Sequence, residues 1–247
     1  MRLTFYQSSI LILFLIFFQR PCAAQDASEK KYEFGLRIAP EIAWVSPNSK
    51  VVSSNGSDLN YNFGLMANYM FNPKYSFGFE VVVLNMLSKI KLSPMDVNYK
   101  STPYPNSILT FNYNMQYLQV PLLFKMRTSE RNKLRVYGEF GLGLAFLLKA
   151  RADVDFSGNN ISNMNPNKPE GSDNIEVKDP SSGSNYSYQI NSLRASFIIG
   201  GGIHYNIYEG TMLMTGLRFD SGLTDFLDDD KWDANNSYVA LNVGVIF

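Results

Sequence analysis

The sequence predicts an all-β chain that closes as an eight-stranded antiparallel up-and-down transmembrane β-barrel behind an N-terminal signal peptide. Three observations predict it. Apolar residues recur with period two from Glu33 to Phe247, which is the period of strands. The stretches patterned in this way number eight. The links between them alternate short and long, as in barrels that turn tightly on one side of a membrane and loop out on the other.

The first 24 residues are set aside before the fold is considered, because they read as a targeting segment. Arg2 supplies a positive start, Ile10 to Phe18 form an apolar run too short to cross a bilayer as a helix, and Pro21-Cys22-Ala23-Ala24 places small residues at a cleavage site. Residues 25–32 form a short N-terminal segment, and the barrel is expected over 33–247. Phe18-Gln19-Arg20-Pro21 lacks the small and apolar residues that would make Cys22 a lipidation site. As Cys22 is the only cysteine, the exported chain has no means of forming a disulfide.

The terminal segment shows the alternation best: Val239, Leu241, Val243, Val245 and Phe247 share one face, while Tyr238, Ala240, Asn242 and Gly244 share the other. The first strand sets Phe34, Leu36, Ile38, Ile42 and Trp44 against Glu33, Gly35, Arg37 and Glu41. The second, at 60–71, sets Tyr61, Phe63 and Leu65 against Asn60, Asn62 and Met66. The third sets Phe77, Phe79, Val81 and Val83 against Glu80, and loses regularity over Leu84 to Leu92. The fourth, 111–127, turns Gln119, Lys125 and Arg127 inward; the fifth, 133–151, turns Arg135, Tyr137, Glu139 and Lys149 inward. The sixth, 190–207, contributes Arg194, Ser196 and His204, and the seventh Met214, Arg218 and Asp220. Pro121 removes a backbone donor, so an interrupted ladder is expected beside it.

The short links are Asn72-Pro73-Lys74, Thr128 to Asn132 and Tyr208-Glu209-Gly210. The long ones, 46–59, 93–110, 152–189 and 222–235, are rich in Asn, Ser, Gly, Pro and Asp and read as external loops. The 152–189 loop exceeds a mere connection, and its low apolar content points to disorder in isolation or to partner binding. Trp44, Tyr61, Phe63, Phe111 and Phe219 are expected at the outer interface, and Phe34, Tyr69, Phe71, Phe77, Tyr205 and Phe247 at the inner one.

An eight-stranded barrel encloses only enough space for side chains. Its inward charges, Arg37, Glu41, Glu80, Lys125, Arg127, Arg135, Glu139, Arg194, Arg218 and Asp220, are therefore expected to form a hydrogen-bonded lumen network, with no open pore. Mean hydropathy of −0.13 does not speak against a barrel, whose strands average apolar and polar faces. Removing Arg2 and Arg20 leaves 20 basic against 22 acidic residues, so no basic surplus points to nucleic acid. His204, the single histidine, has no assignable acid or nucleophile beside it, and a structural role is expected. Asp153, Asp155, Asp225 and Asp228-Asp229-Asp230 lack EF-hand spacing and read as solvated loops. No catalytic residue, metal or cofactor site is predicted.

Particular residues resemble a known family. Tyr117-Leu118-Gln119-Val120-Pro121-Leu122-Leu123-Phe124-Lys125 is similar to the Tyr-Leu-Glu-Ile-Pro-Leu-Leu-x-Lys strand of porin-family outer-membrane barrels of the PorT type. Val136-Tyr137-Gly138-Glu139-Phe140-Gly141-Leu142-Gly143, Ile199-Gly200-Gly201-Gly202-Ile203 and Leu217-Arg218-Phe219-Asp220-Ser221-Gly222-Leu223-Thr224-Asp225 resemble its glycine-rich strands and a following Gly-Leu-Thr-Asn-like loop. Gln119 stands for the usual acid and Asp225 for the usual Asn. The resemblance implies a Gram-negative outer membrane, and the even strand count implies periplasmic termini. It also implies a non-enzymatic structural or assembly component of the envelope, with a link to type IX secretion. The partners expected are outer-membrane lipid and, through loops and turns, other envelope or secretion proteins. A narrow porin-like channel for ions or small solutes is the alternative.

Overall fold

The computed structural model describes residues 31–49, 52–92, 94–168, 174–183, 185–208, 210–229 and 233–247. The expected signal peptide, and residues 25–30 of the segment after it, lie outside the described residues. Among the described residues fourteen strands run in chain order: β1 (Tyr32–Pro47), β2 (Val52–Ser54), β3 (Ser57–Asn72), β4 (Tyr75–Leu92), β5 (Met95–Tyr99), β6 (Thr102–Ser107), β7 (Leu109–Arg127), β8 (Leu134–Phe156), β9 (Asn159–Met164), β10 (Ile175–Lys178), β11 (Asn185–Tyr186), β12 (Leu193–Tyr208), β13 (Thr211–Gly222) and β14 (Ala234–Ile246). No helix occurs among the described residues.

Eight of these strands, β1, β3, β4, β7, β8, β12, β13 and β14, pair antiparallel with their chain neighbours. The first and last also pair, with Leu36 opposite Val245 and Ile42 opposite Val239, so the barrel is closed. Closure leaves no unpaired edge, the condition for a sheet to stand in hydrocarbon. The β4–β7 ladder skips Glu80 and Val81 opposite Val120 and Pro121, where proline has no N–H to give.

The wall is apolar outside over a band bounded by a change in outward residues. On β7 the outward run Leu118, Val120, Leu122, Phe124, Met126 gives way toward the loops to Gln116, Asn114, Asn112 and Thr110. On β4, Val83 gives way to Asn85, which accepts a hydrogen bond at 2.9 Å from Gln116 Nε2 on the adjacent strand. About nine to eleven tilted residues suffice to cross a bilayer as a strand. Thus β4, β7 and β8 extend well beyond the band.

That extension corrects two expectations. The 84–92 stretch is regular after all: Leu84, Met86, Ser88, Ile90 and Leu92 point inward and are buried. Likewise Phe111 is not an interface aromatic but lies inside, stacked on Tyr113 at 5.5 Å. On β8 a register shift opposite Gln116/Tyr117 inserts an extra residue at Leu148, and the inward parity flips. Ala150, Ala152, Val154 and Phe156 become buried, and Lys149, expected inward, is exposed.

The long links are also structured. Strand β9 folds back on β8 through Ser157-Gly158, both at positive φ (45° and 82°), and β5 folds onto β6 through Lys100-Ser101 (50° and 61°), the backbone of a tight hairpin turn. A second sheet, ordered β11-β10-β5-β6, stands at this end. Its inward residues Met95, Val97, Ile175 and Val177 join Met86, Ile90, Phe111, Tyr113, Val154, Ile161, Met164, Tyr188, Ile190, Phe226 and Leu227 in one buried apolar cluster. This cluster is the core of a cap over the barrel's loop end.

Candidate functional site in the barrel lumen

Below the cap the lumen holds a network whose charged members come from six of the eight wall strands, and a small apolar cluster of Met66, Tyr137, Met212, Met214 and Ile246. Glu80 on β4 is the hub. Its carboxylate accepts from Arg37 Nε of β1 at 3.0 Å, from Arg218 Nη1 and Nη2 of β13 at 2.8 and 3.0 Å, and from Lys125 Nζ of β7 at 3.0 Å. Arg218 Nε also donates to Glu139 Oε1 of β8 at 2.8 Å, and Lys125 lies 3.5 Å from Glu139 Oε2. Each of Arg37, Glu80, Glu139 and Arg218 has no more than 1% of its side chain accessible. Desolvating such charges costs several kcal/mol per ion, so only close opposite charges with further hydrogen bonds make them tolerable.

Neutral side chains extend the hub toward the loop end. Arg37 Nη1 donates to Asn62 Oδ1 at 2.8 Å and to Asn242 Oδ1 at 2.6 Å, and Asn62 Nδ2 donates to Glu41. Glu41 makes no ion pair within the described residues and is held by this amide. A second cluster follows. Arg194 Nη2 donates to Asp220 Oδ1 at 2.6 Å and Arg194 Nε to Asn236 Oδ1 at 2.7 Å. The other Asp220 oxygen accepts from Gln119 Nε2 at 2.8 Å and Ser196 Oγ at 3.1 Å. Tyr238 Oη donates to Gln119 Oε1 at 3.3 Å. Arg37, Lys125, Arg194 and Arg218 are buried together with Glu41, Glu80, Glu139 and Asp220, and Glu33 is buried beside the half-buried Arg127.

Two of the ten residues expected in the network stand apart from it. Arg127 bonds Glu33 at 2.6 Å and the Pro73 carbonyl at 2.9 Å, and Arg135 bonds Glu130 at 2.8 Å, all at the end of the barrel that carries the short turns. Asn62, Asn236, Gln119, Ser196, Tyr238 and Asn242 join the charged residues instead; their signal was inward parity, but neutral side chains carry no charge to mark them. Glycines make the room. A Cβ on Gly143 would meet Ser196 Oγ at 2.6 Å and Gln119 Nε2 at 2.8 Å, and one on Gly216 would meet Tyr137 Oη at 2.5 Å.

His204 stacks on Tyr137 with ring centroids 4.4 Å apart, and its Nδ1 has no hydrogen-bond partner among the described residues. In the loops, Asp153 accepts from the Asn163 amide at 2.6 Å and Asp229 from the Ser187 amide at 2.6 Å. Asp230 lies outside the described residues. No cluster of three or more His, Cys, Asp or Glu side chains occurs among the described residues.

A closed barrel with an apolar skin and a polar interior is the architecture of an outer-membrane protein. Residues 23–228 match the outer membrane protein beta-barrel domain family. The chain belongs to that family. Membership fixes its location as the outer membrane. No curated protein matches the chain. Among solved structures the chain is similar to Neisserial surface protein A, at 14% identity and a TM-score of 0.42, covering 88% of this chain and 96% of that one. OprG from Pseudomonas aeruginosa matches at 12% identity and a TM-score of 0.41 over 90% and 99%. Ail, the attachment invasion locus protein of Yersinia pestis, matches at 13% and 0.32 over 88% and 99%.

Proposed function

We propose that this outer-membrane barrel is a closed, non-enzymatic component of the envelope that serves as structure or assembly platform, with its turns and both described strand termini in the periplasm and its cap outside. The supporting observation is the double closure of the lumen, by the Glu80-centred ion pairs and by the apolar cluster above them. Ions crossing such a lumen would have to break a buried charge network whose members hold one another. The folded full chain in a planar bilayer should therefore pass no current. Steady single-channel conductance would replace this reading with the narrow channel.

The link to type IX secretion rests on the resemblance of the Tyr117 to Lys125 strand and the glycine-rich strands to PorT-type barrels. Crosslinking followed by co-purification should recover envelope or secretion proteins. Recovery of the barrel alone, with normal secretion in a deletion strain, would remove the secretion role and leave the closed platform.

A further inference from the structure

The register shift on β8 does more than alter the core. Regular alternation from Glu139 would send Lys149 into the lumen beside Met115 and Tyr117 of the apolar cluster, where a charge without a partner is costly. The extra residue at Leu148 instead turns Lys149 and Arg151 outward together. They stand directly beyond the lipid-facing Phe146 and Leu148, which are exposed on the same outer surface. Two residues apart on one strand face, the two cations are separated by about 7 Å.

Neither cation is neutralised by a carboxylate among the described residues. Arg151 Nη1 donates to the neighbouring Ala150 carbonyl at 3.1 Å, and the residues across from the pair on β7 are Asn114 and Gln116. The acids that follow on the same strand are engaged elsewhere: Asp153 with the Asn163 amide and Asp155 with Asn160. On its other side β8 pairs with β12 up to Phe146, with the Leu147 N–H donating to the Ser192 carbonyl at 2.9 Å, and with β9 from Ala152, so among the described residues 148–151 has no strand-ladder partner there. The opposite flank of the barrel ends differently, with Trp44 stacked on Phe219 at 6.1 Å.

We infer that Lys149 and Arg151 form a docking site for the phosphate groups of an anionic lipid in the adjoining leaflet. Acyl chains would lie along Phe146 and Leu148, and the headgroup phosphate would meet the two cations just above. A basic side chain near a membrane surface strengthens attraction to anionic lipid roughly fivefold. The pair should thus favour a phosphorylated over an uncharged headgroup by roughly 25-fold.

The test uses the folded full chain in phosphatidylcholine vesicles containing either diphosphorylated lipid A or its dephosphorylated form, with bound lipid counted by native mass spectrometry. The barrel should retain the phosphorylated lipid preferentially. K149Q/R151Q should lose that preference, K149R/R151K should keep it, and K91Q, farther from the apolar band, should leave it unchanged. Equal retention of both lipids by the parent chain, or undiminished preference in K149Q/R151Q, overturns the inference. Displacement of the lipid by millimolar inorganic phosphate would assign the site to a soluble anion and overturn it as well. Which leaflet supplies the lipid rests on the orientation proposed above. Because both vesicle leaflets carry the probe, failure here is distinguishable from an error in that orientation, which cysteine labelling of the cap reads separately.

Discussion

The barrel band and the cap are built from the same strands with opposite solvents in mind. In the band, β4 and β7 turn Phe79, Val81, Leu122 and Phe124 outward and Glu80, Gln119 and Lys125 inward. A few residues farther along, the same strands turn Asn85, Lys89, Asn112 and Asn114 outward and Met86, Ile90, Phe111 and Tyr113 inward. Strand parity is unchanged there; only the chemistry of each face is exchanged. Lipid takes the apolar residues in one region, leaving the interior to ion pairs, whereas water drives them inside in the other. The two regions therefore owe their stability to different forces, and they should fail differently.

The largest difference is expected at the hub. Glu80→Ala would leave Arg37, Lys125 and Arg218 buried around an absent carboxylate, a change that costs roughly 3–5 kcal/mol when one partner of a buried pair is removed. Urea titration of the barrel in vesicles should show this as loss of global stability. A loss below about 1 kcal/mol would mean that the lumen is wetter than its packing implies. Phe226→Ala addresses the cap. Phe226 packs edge-on against Tyr113 with centroids 5.9 Å apart and is buried. Removing it should cost about 3 kcal/mol, and the cost should appear as local opening of the cap with the barrel intact. Hydrogen exchange resolved by segment distinguishes the two outcomes. Simultaneous loss of protection in the barrel strands would show that cap and barrel are one cooperative unit.

A matched pair of outward substitutions on β7 sharpens the boundary itself. Leu122→Arg, in the middle of the apolar band, should destabilise by roughly 2–4 kcal/mol. Asn112→Arg, on the same face of the same strand but beyond the band, should stay within about 0.5 kcal/mol. Equal effects would move the membrane boundary up the strand and make the cap part of the spanning wall.

How far the sequence revealed this arrangement depended on which signal each residue carried. Period two and the alternating links were sufficient for the eight wall strands and for the inward position of Glu80, Glu139 and Arg218. The same pattern failed at Lys149, because a single inserted residue flips parity without any compositional mark. Leu84 to Leu92 looked irregular only because an apolar residue was expected to face lipid; above the band the rule reverses, and Met86 and Ile90 face in. The Ser157-Gly158 hairpin was legible in principle, since glycine supplies positive φ, but Lys100-Ser101 adopts that backbone without glycine. Which acid each arginine chooses is a matter of three-dimensional register, so Arg127 and Arg135 were grouped with a network they do not enter.

The smallest expected effect lies where the cap is fastened. Segment 223–229, which carries Phe226 and Leu227 into the barrel mouth, is held by Asn191 Nδ2 donating to the Asp225 and Leu227 carbonyls, both at 3.0 Å, and by the Phe226 amide on the Ala234 carbonyl at 3.1 Å. Asp225 also meets Asp233, which in turn accepts from Asn48 Nδ2 at 2.9 Å. Burial and the hydrogen bond to Asp233 push the Asp225 carboxyl up to about 6, while Asp233 is held below its ordinary value as the acceptor of that proton. A carboxyl whose folded-state pKa is raised contributes stability that is complete below the unfolded value, near 4, and is lost as pH rises through the folded one. The fastening should thus weaken between about pH 4 and 6 and then level off. Exchange of the Phe226 and Leu227 amides should quicken over that interval while the barrel amides do not change. In Asp225→Asn the interval should vanish, since an amide donates to Asp233 at every pH. If the parent and the variant share one pH profile, the cap is held by its apolar core alone.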